Sequence, residues 1–251
     1  MALGPNTDAR MRPYSRTATY AADYDAGLRS YMLRVYNYMA SGLLLTGIVA
    51  YFTATTPALM QLFYTASATG QLQPTMLAYI VMFAPLAFIL VLNFGLHKMQ
   101  ASTAQALFWA FAFVMGLSSA HIFLTFTGAS IARVFFISAA TFGAMSLYGY
   151  TTKRDLSRFG SFLLMGLIGI VIASIVNIFV GSTALQFAIS VIGVLVFVGL
   201  AAHDTQAIKL IYDEADSADT VTKKSVMGAL SLYLDFLNLF ILLLQLFGDR
   251  R

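Results

Sequence analysis

The sequence predicts an all-α, polytopic membrane protein, a bundle of seven transmembrane helices, on three observations. Hydrophobic residues make up 59% of the 251 positions and charged residues only 10%, whereas soluble domains carry about 25% charge. Apolar runs of about 20 residues, the length that crosses a bilayer, recur seven times between short polar breakers. Lys and Arg fall unevenly around those runs, in the pattern that sets orientation.

Taken in order, residues 1–30 read as a polar cytoplasmic tail without fixed structure, carrying Arg10, Arg12, Arg16, Asp8, Asp23 and Asp25. It has no apolar core of signal-peptide length, so no cleaved secretory signal is expected. Residues 31–251 form the transmembrane domain, with spans near 31–54, 75–96, 104–126, 130–150, 159–180, 185–211 and 225–247. The breakers are "TTPALMQLFYTASATGQLQP", "LHKMQAST", "TFTGAS", "YTTKRDLSR", "VGST" and "DEADSADTVTKK". Short connections make the later helices sequential antiparallel neighbours. Small residues, as in "GLIGIVIAS" and "GAMSLYG", permit close helix contact in lipid.

With the N-terminus inside, the cytoplasmic side collects twelve of the 15 basic residues. Arg133, Arg250 and Arg251 remain outside, a clear positive-inside bias. The last two run against the bias, and a re-entrant final segment is the alternative that would return them to the cytoplasm. The formal charge of +4 is scattered between apolar runs, which gives no nucleic-acid-binding stripe. With no cysteine, disulfides and thiolate metal sites are excluded.

Nine of the eleven acidic residues fall in tails or polar loops. The exceptions are Asp204 in the sixth span and Asp235 in the seventh. A charged side chain at the centre of a lone membrane helix costs about 2.5–3.5 kcal/mol on insertion scales, so such residues mark function. At about 1.5 Å per residue, Asp204 lies about 12 Å before the end of its span and Asp235 about 15 Å after the start of the next. The two helices are antiparallel across one cytoplasmic loop, so both carboxylates reach a similar depth. At about 4 Å and an effective dielectric of 20, two carboxylates repel by roughly 4 kcal/mol. The pair then holds one proton in common, and its titration steps belong to the couple. A shared proton bridges the helices at lower pH; its loss leaves two anions that push apart, which makes a pH sensor and gate.

An opened pair also attracts cations. Calcium takes about six to eight oxygen ligands, and the neighbourhood supplies Asn238, one turn beyond Asp235, with Thr205, Gln206, backbone carbonyls and water. That set suits transient calcium at Asp204 and Asp235 on a leak pathway. No cofactor is expected, and calcium is the expected transported ion. His121 reads as a hydrogen-bonded bundle histidine, and Asn37, Asn93 and Asn177 as interhelical amides.

At these residues the sequence resembles the transmembrane Bax inhibitor motif family, in its bacterial branch. The likeness is carried by "FAFVMGLSSAHIF" from 111, "SLYGYTTKRDLSRFGSFLLMGLIGIVIASIVNIF" from 146, "HDTQAIK" from 203 and "ALSLYLDFLNLFILLLQLFG" from 229. The resemblance implies a seven-helix bundle in a bacterial inner membrane and a pH-sensitive calcium leak with Asp204 and Asp235 as the sensor. It also implies calcium homeostasis and modulation of a membrane protease as roles. Two departures stand out. His203 replaces the Tyr that usually precedes the first aspartate, and as an imidazolium it lowers the switching pH. At the end of the second span "LHKMQ" supplies Lys98 in place of an Arg-containing cluster, as a snorkelling latch to the pair.

Two other functions compete. An intramembrane aspartyl protease also pairs two aspartates, but "LYLDF" lacks the Gly-x-Gly-Asp pattern of those enzymes, so no enzyme activity is expected. A non-conducting interaction protein that modulates a membrane protease or a stress or cell-death pathway is the stronger alternative. Its partners would be lipid and another membrane protein.

Overall fold

A computed structural model of the chain describes residues 12–66 and 72–251. In chain order the helices are α1 (Arg12–Thr55), α2 (Pro57–Phe63), α3 (Met76–Gly95), α4 (Ala101–Thr125), α5 (Gly128–Thr151), α6 (Ser157–Val180), α7 (Thr183–Leu210) and α8 (Ala218–Phe247). All but α2 contain a stretch long and apolar enough to cross a membrane, which gives the seven-helix bundle. The unbroken 30 residues of α8 reach about 45 Å, beyond the roughly 30 Å hydrocarbon core. The final segment therefore spans fully, and the re-entrant alternative falls.

Two boundaries differ from the sequence reading. Helix α1 begins at Arg12, so the stretch from 12 to 30 is helical rather than unstructured; residues 1–11 lie outside the described residues. The reason is visible at its inner end, where Leu28, Tyr31, Met32 and Val35 keep an unbroken helical stripe and are all buried. The first breaker is not plain loop either. Pro57 starts α2 at a position where a missing N–H costs nothing. A hairpin of β1 (Tyr64–Ala66) and β2 (Leu72–Pro74) follows, with Tyr64 opposite Pro74.

Local chemistry fixes the other ends. Thr75, Thr127, Ser182 and Ser217 each cap a helix by accepting the backbone N–H three residues on. Helix α6 stops at Gly181, whose φ of 65° is left-handed and natural only to glycine.

Helix α8 is the centre of the bundle and packs on α1, α4, α5 and α7. Its Leu232, Tyr233 and Leu239 are fully buried. Helices α3 and α6 lie at the periphery and turn Phe94, Ile178 and Phe179 outward. Lipid does not drive apolar surface inward, so close approach and hydrogen bonds decide which helix is central. A Cβ on Gly116 would sit 2.8 Å from the Thr46 carbonyl oxygen, so α4 meets α1 backbone to backbone. There Thr46 Oγ1 donates to the Ala112 carbonyl (2.8 Å) and lies 2.7 Å from the Tyr233 hydroxyl. That one side chain joins α1, α4 and α8.

The α3–α4, α5–α6 and α7–α8 connections share one side. Ala101 N donates to Asp219 across it (2.9 Å), and Leu156 N donates to Gln206 (2.8 Å). This side carries Lys98, Lys153, Arg154, Arg158, Lys209, Lys223 and Lys224, and is called the basic side below. On the opposite side the chain's last residues are stapled to the α4–α5 connection. Thr127 N donates to the Asp249 carbonyl (3.0 Å), Arg251 N to Thr125 (2.9 Å), and Arg133 pairs with Asp249 (3.0 Å).

Candidate functional site

Asp204 and Asp235 meet where α7 packs against α8. Asp204 lies about 9 Å before the end of α7, while Asp235 lies about 26 Å into α8. The offset arises because the first turns of α8 extend past the end of α7, whose Ile208 lies against Gly228.

Asp235 is 5% exposed, and its Oδ2 is fully buried with no hydrogen-bond partner among the described residues. The charged neighbour facing it is Asp204. Leaving a buried acceptor unsatisfied costs about 1–3 kcal/mol, and more when it is charged. One proton held between the two carboxyls removes that cost, since it supplies the missing donor and one of the two charges disappears.

Asp204 has a second neighbour. His203 Nδ1 lies 2.8 Å from Asp204 Oδ1, and the two side chains are 23% and 26% exposed. The imidazole fits because α6 has glycine where it passes: a Cβ on Gly160 would lie 2.7 Å from His203 Nε2. His203, Asp204 and Asp235 thus form a row that runs from partly open to closed.

The turn of α7 that carries this row is fixed from three directions. Gly149 of α5 rests on the carbonyl of Ala202. Thr205 Oγ1 donates to the Ala201 carbonyl (2.7 Å), so the 2.8 Å contact with Ser146 Oγ is donated by Ser146. The 2.6 Å contact between Ser146 and Tyr36 is then donated by the tyrosine. Gln206 accepts from Leu156 N (2.8 Å) and donates to the Arg154 carbonyl (2.9 Å), which anchors α7 to the α5–α6 connection.

These contacts correct part of the expected ligand set. Thr205 and Gln206 are committed to α5 and its following connection. Asn238 is partly buried and donates to Leu234 of its own helix (2.9 Å). Lys98 is exposed in the 3-10 turn Leu96–Lys98 after α3, and no bond among the described residues joins it to either aspartate. Among the described residues no three His, Asp or Glu side chains cluster as a metal site would require. The geometry holds a proton well; a cation there must draw most of its oxygens from water and backbone.

Elsewhere, His121 lies 2.9 Å from the Ser118 carbonyl of its own helix, and Asn93 donates to Ile89 of its own. Asn177 does bridge helices: it donates to Gln186 (3.1 Å), which donates to Gln245 (2.8 Å), linking α6, α7 and α8. The supports Tyr36, Ser146 and Gly149 were not singled out from sequence for this site. Gln206 was, but as an oxygen ligand rather than as the anchor of α7 that it is.

Comparison with known proteins agrees with this architecture. The family model for "Inhibitor of apoptosis-promoting Bax1" matches residues 28–251. Inner membrane protein YbhL of Escherichia coli K12 is 48% identical over 228 residues, covering 90% of this chain and 94% of that protein. RP147 of Rickettsia prowazekii is 48% identical over 244 residues, 96% of this chain and the whole of its relative. A Caulobacter vibrioides protein is 47% identical over 229 residues, 90% of this chain and 91% of its own. With the match running from the buried stripe of α1 to the stapled C-terminus, the chain belongs to the Bax inhibitor-like family of membrane proteins.

Proposed function

We propose that the protein is a pH-sensitive calcium leak of the bacterial inner membrane, N-terminus cytoplasmic, gated by the proton shared between Asp204 and Asp235. The observation that carries the reading is the buried, partnerless Oδ2 of Asp235 beside Asp204. With the proton in place, α7 and α8 are bridged and the path is closed. Without it, two carboxylates in a medium of low dielectric repel by several kcal/mol, and α8 moves relative to α7. The exposed anions then receive calcium briefly, with too few fixed ligands to retain it. His203, bonded to Asp204, is the side chain placed to modulate the pair. The inner-membrane placement follows the description of the Escherichia coli relative, and the orientation follows the basic side.

The test is calcium flux from liposomes loaded with a calcium-sensitive dye and reconstituted with purified protein. Flux is expected to rise with pH in the wild type, and Asp204→Asn and Asp235→Asn are expected to abolish the pH dependence. Flux with unchanged pH dependence in both variants removes the gate. Absence of flux from folded wild-type protein removes the leak and leaves the non-conducting interaction partner as the function.

A further inference from the structure

The bundle is open on one flank. Helix α1 packs against α4 and α8, and α5 against α7 and α8, so α1 and α5 are not packed along their length and touch where Tyr36 bonds Ser146. Between them runs a cleft of about 1190 Å³, extending along α1 from Arg29 to Phe52 with Phe236 of α8 at its floor. At about 1.5 Å per residue the cleft is about 35 Å long, close to the roughly 30 Å thickness of the hydrocarbon core. Its lining is overwhelmingly apolar, and its one charged residue, Arg29, stands at the end on the basic side.

Arg29 and Leu33 also line a second cavity, about 630 Å³, around the flank of α1. Its lining adds Ser30, Arg34, Asn37 and Ser41, with Trp109 of α4 across from them. Arg34 donates to Thr222 Oγ1 (3.3 Å), and among the described residues neither Arg29 nor Arg34 has a carboxylate partner. Two guanidiniums beside hydroxyls and amides match a phosphate. A tryptophan at the same place suits the headgroup level.

Chemistry decides what lies in the apolar part. The long apolar lining admits hydrocarbon chains, and the basic and polar residues at one end fit a charged headgroup rather than a partner helix.

We propose that the two cavities form one site for a single anionic diacyl phospholipid from the basic-side leaflet. Its phosphate lies between Arg29 and Arg34 and an acyl chain lies in the cleft against Phe236. The site is independent of whether the chain conducts ions.

The depth of the cleft provides the control. Gly47 and Gly143 both line it, and a Cβ on either meets nothing within 4 Å. The Cβ of each leucine in Gly47→Leu with Gly143→Leu therefore enters open space, and the side chains occupy the cleft.

The experiment is native mass spectrometry of the full chain in detergent, titrated with phosphatidylglycerol and with phosphatidylcholine of the same acyl chains. The wild type is expected to favour the anionic lipid by about 30-fold, the ratio two basic side chains give at a membrane surface. Arg29→Gln with Arg34→Gln is expected to bring the two lipids to parity, and the double leucine variant to weaken both. Equal binding of the two lipids by the wild type overturns the proposal. So does a preference that survives loss of both arginines, or a dimer that neither lipid displaces.

Discussion

Gly149 on α5 presses directly against the backbone carbonyl of Ala202 on α7, two residues before Asp204. Nothing larger than hydrogen fits between them. Gly149→Val is therefore expected to force α5 and α7 apart and to cost about 1–3 kcal/mol, the usual range for overpacking. Gly169, on the lipid-facing α6, has open space around it. Gly169→Ala is expected to leave stability unchanged or raise it by up to about 1 kcal/mol through helix propensity. Thermal unfolding of both variants in one detergent checks the contrast, and equal effects would show that the tight contact is not structural.

The hydroxyl chain from Tyr36 through Ser146 to Thr205 connects α1, α5 and α7. Thr205→Val keeps the shape and removes the acceptor for Ser146. The expected loss is about 0.6–1.7 kcal/mol, as measured for hydrogen bonds between membrane helices. Because α7 carries Asp204 on the adjacent residue, the same variant is expected to change the flux assay while Ser138→Ala, a serine bonded only within its own helix, does not.

At the opposite side, Arg133 and Asp249 are 56% and 68% exposed. An exposed pair of this kind contributes about 0.2–1 kcal/mol and is screened by salt. Arg133→Gln is expected to lower stability within that range at low ionic strength and by less in 1 M salt. Deleting residues 249–251 removes the backbone bonds to Thr125 and Thr127 as well, so its effect is expected to persist in salt.

Asp155 gives a pH dependence outside the membrane. The backbone N–H of Ser157 donates to it at the start of α6 (2.9 Å), and this bond holds the carboxyl below its ordinary value of 3.8. A carboxyl with a lowered folded-state value stabilises the fold above the ordinary value and loses that contribution as pH falls through the lowered one. Asp155→Ala is accordingly expected to be less stable than the wild type at neutral pH, with the difference fading as the pH drops below 3.8. A difference that persists in acid would assign the effect to something other than the carboxylate.

Much of this was legible in the sequence, for identifiable reasons. Uninterrupted apolar length locates spans, and all seven were found. Hydropathy does not see capping or polar helical turns, so Arg12 and Ala218, where α1 and α8 begin, lay outside the windows. The aspartate pair was readable because a carboxylate in an apolar run is costly and because antiparallel neighbours share depth. What surrounds the pair was not readable. Gln206 and Thr205 looked like ligands, and only coordinates show that they face α5 and the α5–α6 connection. The position of α8 at the centre was hidden too. Its buried surface is set by close contacts with four other helices, and a window of hydropathy carries no record of partners.

That central position bears on how the protein is made. Helix α8 is the last of the seven in chain order, yet it is the one around which α1, α4, α5 and α7 gather. Segments enter the bilayer in the order of synthesis and associate afterwards. Until α8 arrives, the earlier six have no common hub, and Thr46, already bonded to α4, still lacks its contact with Tyr233. Assembly is completed from the inside by its final piece, and a truncation that spares six spans forfeits the organising one.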